Sequence, residues 1–239
     1  MKSSARMARL GNVSSPLAVK MMVADADIPK LLDHFKAMSH GQFRMASTAL
    51  ADSALLSENC SEENYWKVFA GIVPTNPKAF LGTFLKAAVR RYEEGGLHIS
   101  LSPELQSFAA QASPIDKRKV MDAFLPKVKT SEEVDVLLRL FVTGEPKDRV
   151  NALLKVDTAV ACYCLFRELR QQEGEDALIH QTALSLMRRQ TKHGYNLASM
   201  IQAYFGLAPL PGSFSLRLNP YELSQLERSE EEFMKILKR

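Results

Sequence analysis

The amino-acid sequence predicts an all-α protein, either an irregular multi-helix bundle or a helical stack. Three observations carry that reading. Ser or Asn followed by Pro recurs along the chain, at Ser15-Pro16, Asn76-Pro77, Ser102-Pro103, Ser113-Pro114 and Asn219-Pro220. Each pair precedes apolar residues at helical spacing. A later segment, Ala159 to Phe166, is apolar or cysteine at every position.

The pairs read as helix openings. A Ser or Asn side chain accepts from the free N–H groups of a first turn, and Pro at the first helical position gives up no bond it would have made. "NPYE" at 219–222 adds Glu222 where its carboxylate reaches back to the cap, and "TSEE" at 130–133 is a similar start without the proline. Phe80, Phe84, Ala88 and Tyr92 then fall at steps of four. Val134, Leu137, Leu138 and Phe141 make a second stripe, and Val150, Leu153 and Leu154 a third. Leu223, Leu226, Phe233, Ile236 and Leu237 predict one C-terminal helix over 220–238. About eleven helices, most of roughly ten to eighteen residues, are expected between short polar or Gly/Pro turns.

The segment 159–166 is hydrophobic all round, so a helix over 157–171 is expected at the centre of the C-terminal half. On such a helix Cys162 and Cys164 lie about 200° apart, facing opposite sides, where they neither bridge nor share a metal readily. With Cys60 they form an odd set, read as reduced thiols of a cytosol-type compartment. Trp66, in "SEENYWKVFAGIV", is read as a core anchor beside Phe69 and Ile72.

Two runs have period two instead. "GGLHISLSP" sets Leu97, Ile99 and Leu101 on one side, and "GSFSLRLNP" does so with Phe214, Leu216 and Leu218. They predict either a small two-stranded β-ribbon packed on helices or two extended connectors pinned by their apolar side chains. Residues 131–166 read as helix, turn, helix, turn, helix, the pattern of a HEAT/armadillo-like stack. No fixed period repeats along the chain, which keeps the irregular bundle beside it. The expected organisation is a basic N-terminal arm or first helix over 1–26 and a single helical domain over 27–239. A sub-boundary is expected near 95–113, where Gly95-Gly96 and two Ser-Pro starts cluster.

Composition bounds the function. Apolar residues make up 46% of 239 and charged residues 24%, enough for a core and too apolar for disorder. Lys+Arg 31 against Asp+Glu 27 leaves +4, which permits an acidic partner without arguing for one. No run approaches the roughly eighteen apolar residues of a membrane span. The N-terminus is Ser-rich and basic with no acid before Asp25, as organelle transit peptides are. A cytoplasmic location is expected, with an organelle-targeted N-terminus as the alternative.

Catalytic signatures are missing. The phosphate-cradling loop, the dinucleotide fingerprint, the nucleophile elbow, the zinc helix and the calcium loop all fail to occur. His34, His40, His98, His180 and His193 are scattered without ligand spacing, so no metal or cofactor is expected. The acids have ordinary places: Glu132, Glu133, Asp148, Glu175, Asp176 and Glu222 in first turns, Glu93 and Glu94 beside Arg90. An enzyme would need a buried, unexplained acid, and none is legible.

Basic clusters are the remaining candidates. Arg188, Arg189, Lys192 and His193 fall at the end of a helix opening near Asp176, with Gly194 read as its left-handed cap and the next helix starting near Asn196. Arg90-Arg91 and Lys117, Arg118 and Lys119 are the others. On one curved face these would track a phosphate backbone. The sequence reading therefore leans away from an enzyme. It favours a helical scaffold or adaptor that binds another protein, with sequence-independent nucleic-acid binding as the alternative.

Overall fold

The computed structural model describes residues 65–67, 70, 77–142, 144–172, 174–208 and 217–239, with backbone alone at 77–80 and 83–84. The 1–26 arm, Ser15-Pro16, His34, His40, Cys60, Phe69, Ile72, Asn76, Phe214, Leu216 and the side chains of Phe80 and Phe84 lie outside the described residues. Among the described residues the chain is all-α. A short helical piece at 65–67 precedes α1 (Pro77–Glu93), α2 (Pro103–Gln111), α3 (Pro114–Phe124), α4 (Ser131–Phe141) and α5 (Pro146–Leu153). There follow α6 (Ala159–Arg170), α7 (Asp176–Arg188), α8 (Lys192–Phe205), α9 (Pro220–Arg228) and α10 (Glu230–Leu237).

The openings form as their chemistry dictates. Ser102 Oγ accepts from the Leu105 N–H at 3.2 Å, and Ser113 Oγ from the Asp116 N–H at 3.2 Å. Thr130 with Glu133, and Asn219 with Glu222, close reciprocal capping boxes. The C-terminal expectation needs correction: 220–238 is two helices. Ser229 is extended at φ −137° and ψ 114°, ending α9 and capping α10 through the Glu232 N–H. The apolar stripe runs on in phase because Leu226 and Phe233 are two turns apart, so periodicity alone conceals the break.

The chain divides after Ala123 into two compact units. In the first, Tyr65 and Trp66 are buried and meet edge to face at 5.7 Å. Leu81, Leu85, Ala88 and Tyr92 of α1, Leu105 and Phe108 of α2, and Val120 and Met121 of α3 are buried too. The α1 end is tied down where Arg91 Nε donates to the Gly96 carbonyl at 2.8 Å and its guanidinium lies 5.5 Å over the Tyr65 ring. The run after Gly96 is an irregular connector that buries Leu97 and Ile99 and leaves Leu101 39% exposed.

The second unit is built round α6, against which α4, α5, α8 and α10 pack. Ala161, Cys162, Cys164, Leu165, Phe166 and Leu169 are buried on it, as a helix apolar all round requires. Its bounds are tighter than 157–171, since Thr158 caps the start by accepting from the Ala161 N–H. Phe166 meets Tyr204 at 5.1 Å and Phe233 at 5.3 Å, joining α6 to α8 and α10. The α7–α8 pair forms a closely packed hairpin.

Candidate functional site

The basic cluster of 188–193 sits in the α7–α8 turn, which differs from its expected form. The left-handed residue is Gln190, at φ 55°, and α8 begins at Lys192 under a Thr191 cap. Gly194 is no cap. It lies buried in the first turn of α8, its N–H donating to Thr191 Oγ1 at 3.1 Å. A Cβ there would stand 2.7 Å from Thr191 Oγ1 and 2.9 Å from the Leu186 carbonyl oxygen. Close approach of two helices, not a positive φ, asks for glycine here.

Half of this cluster is turned onto its own unit. Arg189 Nη1 reaches the Val156 carbonyl at 3.4 Å, and Thr191 Oγ1 donates to the Asp157 carboxylate at 2.8 Å. His193 Nδ1 faces the Asp157 carbonyl at 3.1 Å, so this nitrogen carries the proton. Arg188 and Lys192 are exposed. In the first unit Arg91 is spent on Gly96 and Tyr65, Lys117 is half-buried and Arg118 exposed.

Arg90 and Lys119, from two different clusters, come together. Both line an open groove of about 520 Å³ between α1 and α3. One face of α1 supplies Gly82, Leu85, Lys86, Val89, Arg90 and Glu93, spaced at threes and fours; α3 supplies Lys119, Asp122 and Ala123. The floor is therefore apolar and the rim charged with both signs. Arg90 holds Glu94 at 2.8 Å and Lys119 holds Asp116 at 3.5 Å, both on their own helices. Gly82 is the unusual member. It lies inside a helix at no positive φ, and a Cβ added to it would meet nothing within 4 Å. Glycine in a helix interior costs about 0.5–1 kcal/mol relative to alanine, and among the described residues nothing requires it here.

Asp116 and Glu168 are the buried acids among the described residues; Asp116 accepts from the nearby Ser113 hydroxyl, and Glu168 has no such local use. Glu168 of α6 is 4% exposed. Burial pushes its carboxyl above the ordinary range, while Arg149, with Nη1 at 3.7 Å, pulls it back in part. The signal was present: Glu168 follows Cys164 by four and Ala161 by seven, on the buried stripe. Its neighbours are the Arg149 guanidinium and the Arg167–Asp135 ion pair, which make it a buried structural charge. Cys162 and Cys164 are free, and burial pushes both thiols up to about 12. Among the described residues no group of three His, Cys, Asp or Glu could hold a metal ion, and no helix is long and apolar enough to cross a membrane.

Compared with protein-family models, with curated proteins and with solved structures, the chain matches none.

Proposed function

We propose that the chain is a non-enzymatic helical scaffold or adaptor that binds another protein, and that the α1–α3 groove of its first unit is the binding surface. The observation that carries this is the groove's make-up. An apolar floor of Leu85, Val89 and Ala123 inside a rim of charged side chains repeats the plan of protein interfaces, a desolvated centre with a polar edge. The acids Glu93 and Asp122 on the same rim would repel a phosphate backbone, which weighs against nucleic acid despite Lys86, Arg90 and Lys119. The arrangement of the second unit, four helices round a single central one, supports an irregular bundle over a repeat stack, where each repeat touches only its neighbours. The free thiols suit a reducing, cytoplasmic location.

Capture from native extract, with and without nuclease, tests the reading. The full chain is expected to retain a protein after nuclease treatment, and Val89→Asp, which puts a charge on the floor, is expected to release it. Retention that disappears with nuclease would replace this reading with nucleic-acid binding.

A further inference from the structure

We infer that the groove seats an amphipathic helix of the partner, which lays its apolar stripe on Gly82, Leu85 and Val89 and turns acidic side chains toward Lys86, Arg90 and Lys119. This rests on the protein-binding reading and names the class of partner. Three features of the groove converge on it.

The first is shape. Residues 82 to 93 lie along one face of α1 over three turns, roughly 16 Å, and α3 forms the opposite wall. A trough bounded by two helices and open to the side is filled by a third helix, which lies along the ridges and grooves of its neighbours. The second is charge. Three cations and two acids share the rim, and Arg90 and Lys119 stay exposed beside their own partners Glu94 and Asp116. The best complement therefore sets acids against Lys86, Arg90 and Lys119 and a base where it meets Glu93 and Asp122. Such a pattern also gives the incoming helix a direction. The third is Gly82. A glycine facing open space inside a helix removes the side chain that would hold a neighbour off, and small residues are what let two helix backbones approach closely.

The test uses the full chain and a phage-displayed library of random peptides about eighteen residues long, enough for five turns. Enriched peptides are expected to carry an apolar stripe at threes and fours with flanking acids, and to become helical on binding by circular dichroism. The leading synthetic peptide is then titrated by fluorescence anisotropy against Gly82→Leu, whose side chain fills the trough, and against Lys86→Glu with Lys119→Glu on the exposed rim. Each is expected to weaken binding by on the order of tenfold or more. The melting temperature of Gly82→Leu is expected to be no lower than that of the unmodified protein. Lys86→Glu alone, which keeps the Lys119–Asp116 pair, is measured beside the double variant. Gly82→Ala, the gentler change, is measured alongside in case leucine disturbs the fold, and is expected to weaken binding in the same direction. Peptides that bind regardless of these changes would leave protein binding in place and overturn the groove as its seat. Enriched peptides that are extended or basic would overturn the class of partner. A library that yields no binder, where native extract still yields a partner, would overturn the helix alone.

Discussion

Glu168 shows what a single buried charge does to the pH dependence of this fold. Its folded carboxyl lies above the ordinary carboxylate value of 4.5, chiefly through burial. Between 4.5 and the raised value the folded chain therefore holds more proton than the unfolded one. Stability from this group is fully present below 4.5 and declines as pH rises through the folded value. Glu168→Gln keeps the shape and removes the titration. Melting temperatures from pH 4 to 8 are expected to fall less steeply with rising pH in Glu168→Gln than in the unmodified chain. Parallel curves would show that Arg149 fully offsets the burial. Glu168 was not legible in the sequence because the acids that could be placed were those with a local use, and its partner Arg149 is on another helix.

Helix openings were legible because a cap is settled within four residues. Ser102, Ser113, Thr130 and Asn219 all act as their chemistry foretells. The α7–α8 turn was misplaced for an equally local reason. Glycine is the commonest left-handed residue, yet here Thr191 caps the next helix at once and Gln190 takes the turn. Gly82 and Gly194, the helical glycines among the described residues, make a paired test of this distinction. Gly82→Ala is expected to stabilise the chain by about 0.5–1 kcal/mol, since helix propensity improves and nothing is displaced. Gly194→Ala is expected to cost about 1–3 kcal/mol, because a backbone carbonyl must move to admit the methyl group. Urea unfolding of both variants reads the signs, and equal signs would refute the close-approach account. The groove itself was not legible: its walls are separated by the whole of α2, and only packing brings Arg90 and Lys119 to one rim.

At the scale of the whole molecule, α6 explains why the second unit holds together. The unbroken apolar run of 159–166 foretold a helix covered on several sides, and four helices cover it. Phe166 is its keystone, 1% exposed and in ring contact with α8 and α10. Phe166→Ala is expected to cost about 3–5 kcal/mol through lost burial and the cavity left behind. A loss under about 1 kcal/mol by denaturant unfolding would show that the unit does not depend on α6 for its core.

The joint at Ser229 has no slack, because one residue closes α9 and opens α10. Each residue advances a helix by about 100°. Adding or removing one at this joint would therefore roll α10 about its axis and carry Phe233, Ile236 and Leu237 out of register with the surface that receives them. The joint can accept a different side chain far more readily than a different length.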